Sequence, residues 1–212
     1  MKRLRDLALS RGMPVLGGGA ILGGAEVEGG AEILQGQEPI VVPGDALPPL
    51  EYDFQLVQFT PQASAAAPRD GRVVEMVVLH GLPGEESETL ARMTAIGATF
   101  AVHYYVSIEG VVYQLVDATR AAWHAGFGTL AGTWYNLNRT SIGIGLERPA
   151  EWPAQPAGNT DAQLFALRRL LQQLDRRYRL DPDAILLWSS FAGSDPGTLD
   201  GLPLEVLRES LS

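Results

Sequence analysis

Apolar and polar positions fall into two regimes along the chain, and the change comes near Pro68. From Arg69 onward, short apolar runs alternate with longer segments periodic at three and four residues, the pattern of strands and helices in one α/β domain. Val73 to Leu79 is an apolar run broken only by Glu75 and predicts a buried strand. Glu85 to Ile96 predicts a helix, acidic in its first turn, with Leu90, Met93 and Ile96 or Gly97 on one face. Val102–Ile108 and Val111–Val116 predict two strands joined by the Glu109-Gly110 turn, and Ser141–Glu147 predicts another. Thr160-Asp161-Ala162-Gln163 is a capping box opening a helix to about Arg179, which turns Leu164, Leu167, Leu170, Leu171 and Leu174 inward. Ala184–Trp188 predicts a last buried strand and Leu204–Leu211 a short closing helix.

Before that domain the pattern differs. Residues 13–68 hold seven acids and no positive charge, with many Gly, Pro and Ala. Four six-residue blocks begin at Pro14, Ala20, Glu26 and Glu32; their second positions are Val15, Ile21, Val27 and Ile33, and their fifth are Gly18, Gly24, Gly30 and Gly36. A β-branched residue and a glycine at fixed offsets predict short strands separated by tight bends, too few to bury a core alone. The phasing favours an assembly segment, covered by other protein chains, over a flexible glycine-rich linker. Residues 39–62 read as extended, and the alternating run Tyr52–Val57 predicts an edge strand. The chain therefore divides into an N-terminal arm, residues 1–68, and an α/β domain, residues 69–212.

Composition removes several functions. A net charge of −9 with 25 acidic residues opposes a grip on the nucleic-acid backbone. The absence of cysteine excludes disulfides, thiolate ligands and a cysteine nucleophile, and three histidines leave little for a histidine-built metal site. No apolar run reaches the roughly 18 residues that a membrane-spanning helix needs. The uncharged stretch Met13–Ala25 carries Pro14 and five glycines, unlike the core of a secretory signal.

The order of segments and their motifs resembles the zinc-dependent N-acetylmuramoyl-L-alanine amidase type 2 family, shared with peptidoglycan recognition proteins. The resemblance rests on Val77-Val78-Leu79-His80, Val102-His103-Tyr104-Tyr105-Val106, Ala122-Trp123-His124-Ala125-Gly126, Asn136-Leu137-Asn138-Arg139-Thr140-Ser141-Ile142-Gly143-Ile144 and Ser194-Asp195-Pro196-Gly197. It covers roughly residues 72–208 and implies a mixed central sheet flanked by helices. It also implies cleavage of the amide between N-acetylmuramic acid and L-alanine by a zinc on two histidines and an Asp or Cys. A glutamate or tyrosine would assist proton transfer, and a lysine or threonine would stabilise the oxyanion.

Carried over residue by residue, the resemblance is incomplete. His80 stands at the first ligand position and Asp195 at the third, but Trp188 occupies the second. Gly145 stands where the glutamate is expected, and Gly193 where the basic residue is expected. Glu147 shares the strand face of position 145 but lies about 6–7 Å further along. His103, His124, Trp123 and Asn138 are candidate pocket residues, with Trp134 and Trp152 as further candidates for a sugar groove.

The sequence thus reads as a catalytically inactive amidase-like domain with a structural or peptidoglycan-binding role, without cofactor. It would sit in a larger assembly such as a phage virion or tail, or in the cell envelope, meeting other protein chains through residues 13–62 and possible peptidoglycan fragments through its cleft. The alternative is an active zinc amidase with an altered metal site. Trp188 is expected to turn into the old metal position and fill it, leaving His80 bonded to Asp195 or to a backbone group.

Overall fold

A computed structural model describes residues 56–58, 65–148, 159–191, 199 and 201–211. The glycine hexads, Trp152, Gly193 and Asp195 lie outside the described residues.

The central sheet has six strands in the order β1-β5-β4-β9-β3-β10, built from Leu56–Gln58 (β1), Val112–Gln114 (β5), Tyr104–Val106 (β4), Ser141–Arg148 (β9), Met76–Pro83 (β3) and Ile185–Leu187 (β10). Only the β4–β5 hairpin is antiparallel; the other neighbours run parallel, so the sheet is mixed, as the sequence implied. Strand β1 lies N-terminal to Pro68, as does Ala66–Pro68 (β2), which pairs with Arg120–Ala122 (β6). Hydrogen bonding thus ties these two short strands to the strands of the α/β domain.

The sheet's central strands, covered on both faces, explain why β3 and β9 read as nearly unbroken apolar runs. One face carries Val77, Leu79, Ile142, Ile144 and Leu146 against Leu167, Leu170, Leu171 and Leu174 of α3 (Asp161–Tyr178). The other places Val102, Tyr105 and Leu115 against Leu90 and Met93 of α1 (Glu86–Thr94). The one-turn helix α2 (Leu137–Thr140) leads into β9, and α4 (Leu204–Glu209) closes the described chain.

The N-terminus of α3 uses half of the predicted capping box. Thr160 Oγ1 accepts from the Gln163 N–H at 3.0 Å, satisfying an orphan helix donor. The Gln163 amide does not reach back to residue 160; it donates to the carbonyls of Val106 and Glu147, buried between helix and sheet. Leu164 is only partly buried, while Ala166 and Gln163 join the other leucines on the inner face. A hairpin of Phe127–Leu130 (β7) and Thr133–Asn136 (β8) was not foreseen, because Gly128, Gly132 and the exposed Phe127 and Trp134 break any clean alternation. Glu109-Gly110 does make the predicted β4–β5 turn; Gly110 has φ 82°, and a Cβ there would sit 2.7 Å from the Ala162 carbonyl oxygen.

Candidate functional site

Parallel pairing in register sets His80 of β3 beside Gly145 of β9, which in turn lies beside Tyr105 of β4. Side chains of directly paired residues project to the same face, so the C-terminal half of β3 delivers His80 to the face that α1 covers. There a cleft of about 580 Å³ opens, lined by His80, Leu82, Phe100, Trp123, His124, Asn138 and Trp188 among others.

His80 is held by a directed chain of hydrogen bonds. Its Nε2 lies 2.9 Å from His124 Nδ1, and His124 Nε2 lies 3.0 Å from Ser141 Oγ. The Ser141 hydroxyl donates to the Leu137 carbonyl at 2.6 Å. With its only proton so used, Ser141 accepts from His124 Nε2–H, which leaves His124 Nδ1 to accept from His80 Nε2–H. The unprotonated nitrogen of His80 is then Nδ1, which has no hydrogen-bond partner among the described residues. Burial lowers the pKa of His80 to about 3 and holds that of His124 well below its ordinary value, with the neighbouring histidines and Arg69 adding to the effect on His124. Both rings are neutral acceptor–donor links at physiological pH.

The His124 ring rests on Gly143, where a Cβ would meet its Cγ at 2.5 Å and its Nδ1 at 2.7 Å. Glycine at 143 is thus the floor on which the relay lies. Asn138 fixes the segment carrying His124: its Oδ1 accepts from the N–H groups of His124, Ala125 and Gly126 at 3.1, 2.9 and 2.8 Å. Asn138 lines the cleft, yet its polar oxygen is spent on this loop, so it positions the wall. Asn138→Ala is expected to destabilise the fold by about 2 kcal/mol, since three donors lose one acceptor, whereas Asn138→Asp keeps the acceptor and most of the stability. Urea denaturation of the two variants checks this.

His103 was expected to be a candidate pocket residue, and the structure corrects that. It is fully buried behind His124, with ring centroids 5.7 Å apart, and it does not line the cleft. The Gly143 N–H donates to its Nδ1 at 2.9 Å, so the proton sits on Nε2, 3.0 Å from the Arg120 carbonyl. Arg69, also buried, packs against this nitrogen and donates to the carbonyls of Ala118, Arg139 and Ser141. His103 and Arg69 are a hydrogen-bonded joint between β9 and its neighbouring loops. Arg69 was not singled out from the sequence, and a lone arginine at the start of a domain offers no signal for such burial. Trp123 is 42% exposed at the cleft rim, as is Phe100 at 37%, whereas Trp134 lies away from the cleft on β8.

Trp188 follows β10, whose Leu187 pairs with Leu79 next to His80. Its indole stacks on the His80 imidazole, with ring centroids 5.6 Å apart and planes inclined by 29°. The indole thus turns toward His80, and two details accompany that orientation. The indole does not fill the space, because a half-buried ring on one wall leaves the cleft open. His80 is bonded to His124 of the loop before β7, the two imidazoles meeting face to edge with centroids 5.1 Å apart; Asp195, its other expected partner, lies outside the described residues.

At position 145 the structure supplies a reason for glycine. A Cβ there would fall on Leu82 Cδ1 and lie 3.0 Å from Leu82 Cγ and 3.4 Å from Val102 Cγ2. Leu82 occupies the path a glutamate side chain would take. Glu147 does not replace it: its Oε2 accepts from the Ile108 N–H at 2.9 Å, toward the β4–β5 turn.

The donor set can be weighed against a catalytic zinc, which takes three protein ligands plus water. Among the described residues the site offers one imidazole nitrogen, His80 Nδ1, and an indole that has no lone pair to give stands at the second position. Among the described residues, the second ligand position therefore offers a metal no donor.

Fold and motifs together define an amidase-type α/β domain, and comparison with known proteins agrees. The family model described as N-acetylmuramoyl-L-alanine amidase matches residues 70–198, and the chain belongs to that family. It is 31% identical over 153 residues to the N-acetylmuramoyl-L-alanine amidase AmiD of Escherichia coli, covering 65% of this chain and 52% of that protein. The chain thus spans about half the length of that relative. The structure of E. coli AmiD in complex with anhydro-N-acetylmuramic acid-L-Ala-D-gamma-Glu-L-Lys matches with a TM-score of 0.54 at 28% identity, over 70% of this chain and 60% of that one. AmpDh3 of Pseudomonas aeruginosa, in complex with anhydromuramic pentapeptide, matches with a TM-score of 0.54 at 25% identity, over 72% and 62%.

Proposed function

We propose that this chain is a non-hydrolysing member of the amidase family that binds muramyl-peptide fragments of peptidoglycan. The observation that carries the reading is the stack of Trp188 on His80, in the place where the family resemblance expects a second histidine ligand. Leu82 in the path of the missing glutamate supports it independently. Metal activation of water and proton transfer both lose their groups, while the features suited to binding persist. Those features are an open cleft, an aromatic rim of Trp123 and Phe100, and a fixed acceptor at His80 Nδ1. The muramyl-peptide ligands of the AmiD and AmpDh3 complexes support this choice of ligand class. An amide N–H or sugar hydroxyl can donate to His80 Nδ1, since the relay holds that nitrogen unprotonated.

Calorimetric titration with an anhydromuramyl tripeptide is expected to show saturable binding. Trp123→Ala should weaken it about tenfold or more, through loss of a stacking wall at the rim. Absence of binding at millimolar ligand would leave the domain a purely structural role. Affinity unchanged in Trp123→Ala would move the ligand out of this cleft.

A further inference from the structure

The β7–β8 hairpin carries two large aromatic side chains that neither the core nor the cleft uses. Its register pairs Phe127 with Asn136, Gly128 with Tyr135 and Thr129 with Trp134, so alternate residues share a face. One face belongs to the fold: Gly128 is buried, and Leu130 and Tyr135 pack on the cluster that holds Leu137 and Phe191. A Cβ at Gly128 would meet Leu137 Cδ1 at 2.8 Å and Phe191 at 3.1 Å, so glycine lets the ribbon lie flat on that cluster. The opposite face turns Phe127 and Trp134 outward, 68% and 70% exposed. We propose that this face is a stacking platform for the glycan strand of peptidoglycan, an uncharged chain of N-acetylated sugars that continues from the cleft.

Position, charge and chemistry each select a sugar chain as the occupant. The ribbon is fastened to the cleft wall: β7 starts just after Gly126 and β8 ends two residues before Asn138, both of which line the cleft. The Leu137 N–H donates to the Gly126 carbonyl at 2.9 Å, and the Gly126 N–H to Asn138 Oδ1 at 2.8 Å, which closes the base of the hairpin. In a chain of net charge −9, residues 127–136 include no Asp, Glu, Lys or Arg. A phosphate-bearing surface or a charged peptide finds no ionic partner there.

The C–H face of a pyranose is apolar and slightly positive, and it lies flat on the negative face of an aromatic ring. The hydroxyl and acetamido groups at the sugar's edge then need polar groups beside the ring. Thr129 and Asn136 stand on the same face, directly across from Trp134 and Phe127. Asn136 precedes α2, yet its side chain makes no capping hydrogen bond, which leaves its amide to the platform. Phe127 and Trp134 lie diagonally across the two strands, about 7–8 Å apart by antiparallel geometry, a span suited to a chain and not to a single sugar. Two large aromatics on one uncharged face differ from apolar residues scattered singly over a surface. The proposal rests on the cleft as a muramyl-peptide site for its direction alone, since the muramyl sugar held there is one unit of such a strand.

The test titrates the full chain calorimetrically with the linear tetramer of N-acetylglucosamine, an uncharged sugar backbone without peptide, and separately with the anhydromuramyl tripeptide. The tetramer is expected to bind saturably. Trp134→Ala and Phe127→Ala should each weaken it about tenfold, and Trp134→Tyr should keep most of the affinity. All three variants should retain the wild-type melting temperature and tripeptide affinity, because both side chains are exposed and outside the cleft. Tripeptide binding without tetramer binding would overturn the platform and leave the cleft reading intact; tetramer binding without tripeptide binding would do the reverse. Equal tetramer affinity in Trp134→Ala would also overturn the platform. So would binding to neutral phosphatidylcholine vesicles, or a concentration-dependent dimer, that Trp134→Ala abolishes, since a membrane or a second copy of the chain would then cover this face.

Discussion

Placing a glutamate at position 145 is expected to destabilise the domain by about 3 kcal/mol and to confer no hydrolysis. Two costs combine. The new Cβ meets Leu82 Cδ1, the end of a half-buried side chain that must turn aside, and overpacking at this low end costs about 1 kcal/mol. The added carboxylate is then buried next to neutral His80 with no cation to pair it, which costs several kcal/mol or forces its protonation. Leu82→Ala together with Gly145→Glu should recover the first part of the loss, because the clash has one named partner. Equal stabilities of the wild type and Gly145→Glu by urea denaturation would show that Leu82 moves aside without penalty and that the vacancy is open. Adding Trp188→His supplies a second imidazole, and activity is still not expected, since catalytic groups act as a unit.

Acid is expected to act through the three histidines. His80 and His103 have their pKa lowered to about 3, and that of His124 also lies well below 6.5; burial is the main cause at each. In the unfolded chain each takes up a proton near pH 6.5, whereas the folded chain takes up none until far lower. The unfolded state therefore binds more protons below pH 6.5, and folding stability falls as pH drops from 6.5 toward 3. The slope is about 1.4 kcal/mol per pH unit for each histidine, or roughly 4 kcal/mol for three. Glu147 and Asp175, both pushed up by burial, work in the opposite sense, since their contribution is favourable at low pH and lost as pH rises through their range. A domain of ordinary stability, about 5–15 kcal/mol, should lose most of it between pH 6.5 and about 4.5. Urea denaturation at pH 7.0, 6.0 and 5.5, with nitrogen shifts of the imidazoles, checks this. A flat stability profile, or rings titrating near 6.5, would mean that the relay is open to water.

Much of this architecture could be read from residue patterns. Strands β3, β4 and β9 announced themselves because buried parallel strands demand continuous apolar runs, β5 because it follows the Glu109-Gly110 turn, and α3 because its leucines recur with helical spacing. The β2–β6 and β7–β8 pairs did not, since short strands at a domain's edge need little burial and carry little pattern. At the site, the motif alone located His80, Trp188 and Gly145, and the side toward which Trp188 turns followed from its place at the end of a strand. What stayed hidden was the partner of each group. The His80–His124–Ser141 relay joins β3, the loop before β7 and β9, and the Leu82 side chain over Gly145 depends on register between β3 and β9. Linear spacing gives such contacts no signature.

The claim at the centre is binding without cleavage, and one experiment addresses both halves. The full chain is incubated with an anhydromuramyl tripeptide in buffer containing zinc, and bound and free ligand are recovered and weighed by mass spectrometry. The account predicts ligand retained by the protein and recovered with its muramyl–alanine amide intact after many hours. Release of the free peptide by the wild-type chain, abolished in His80→Ala, would contradict it.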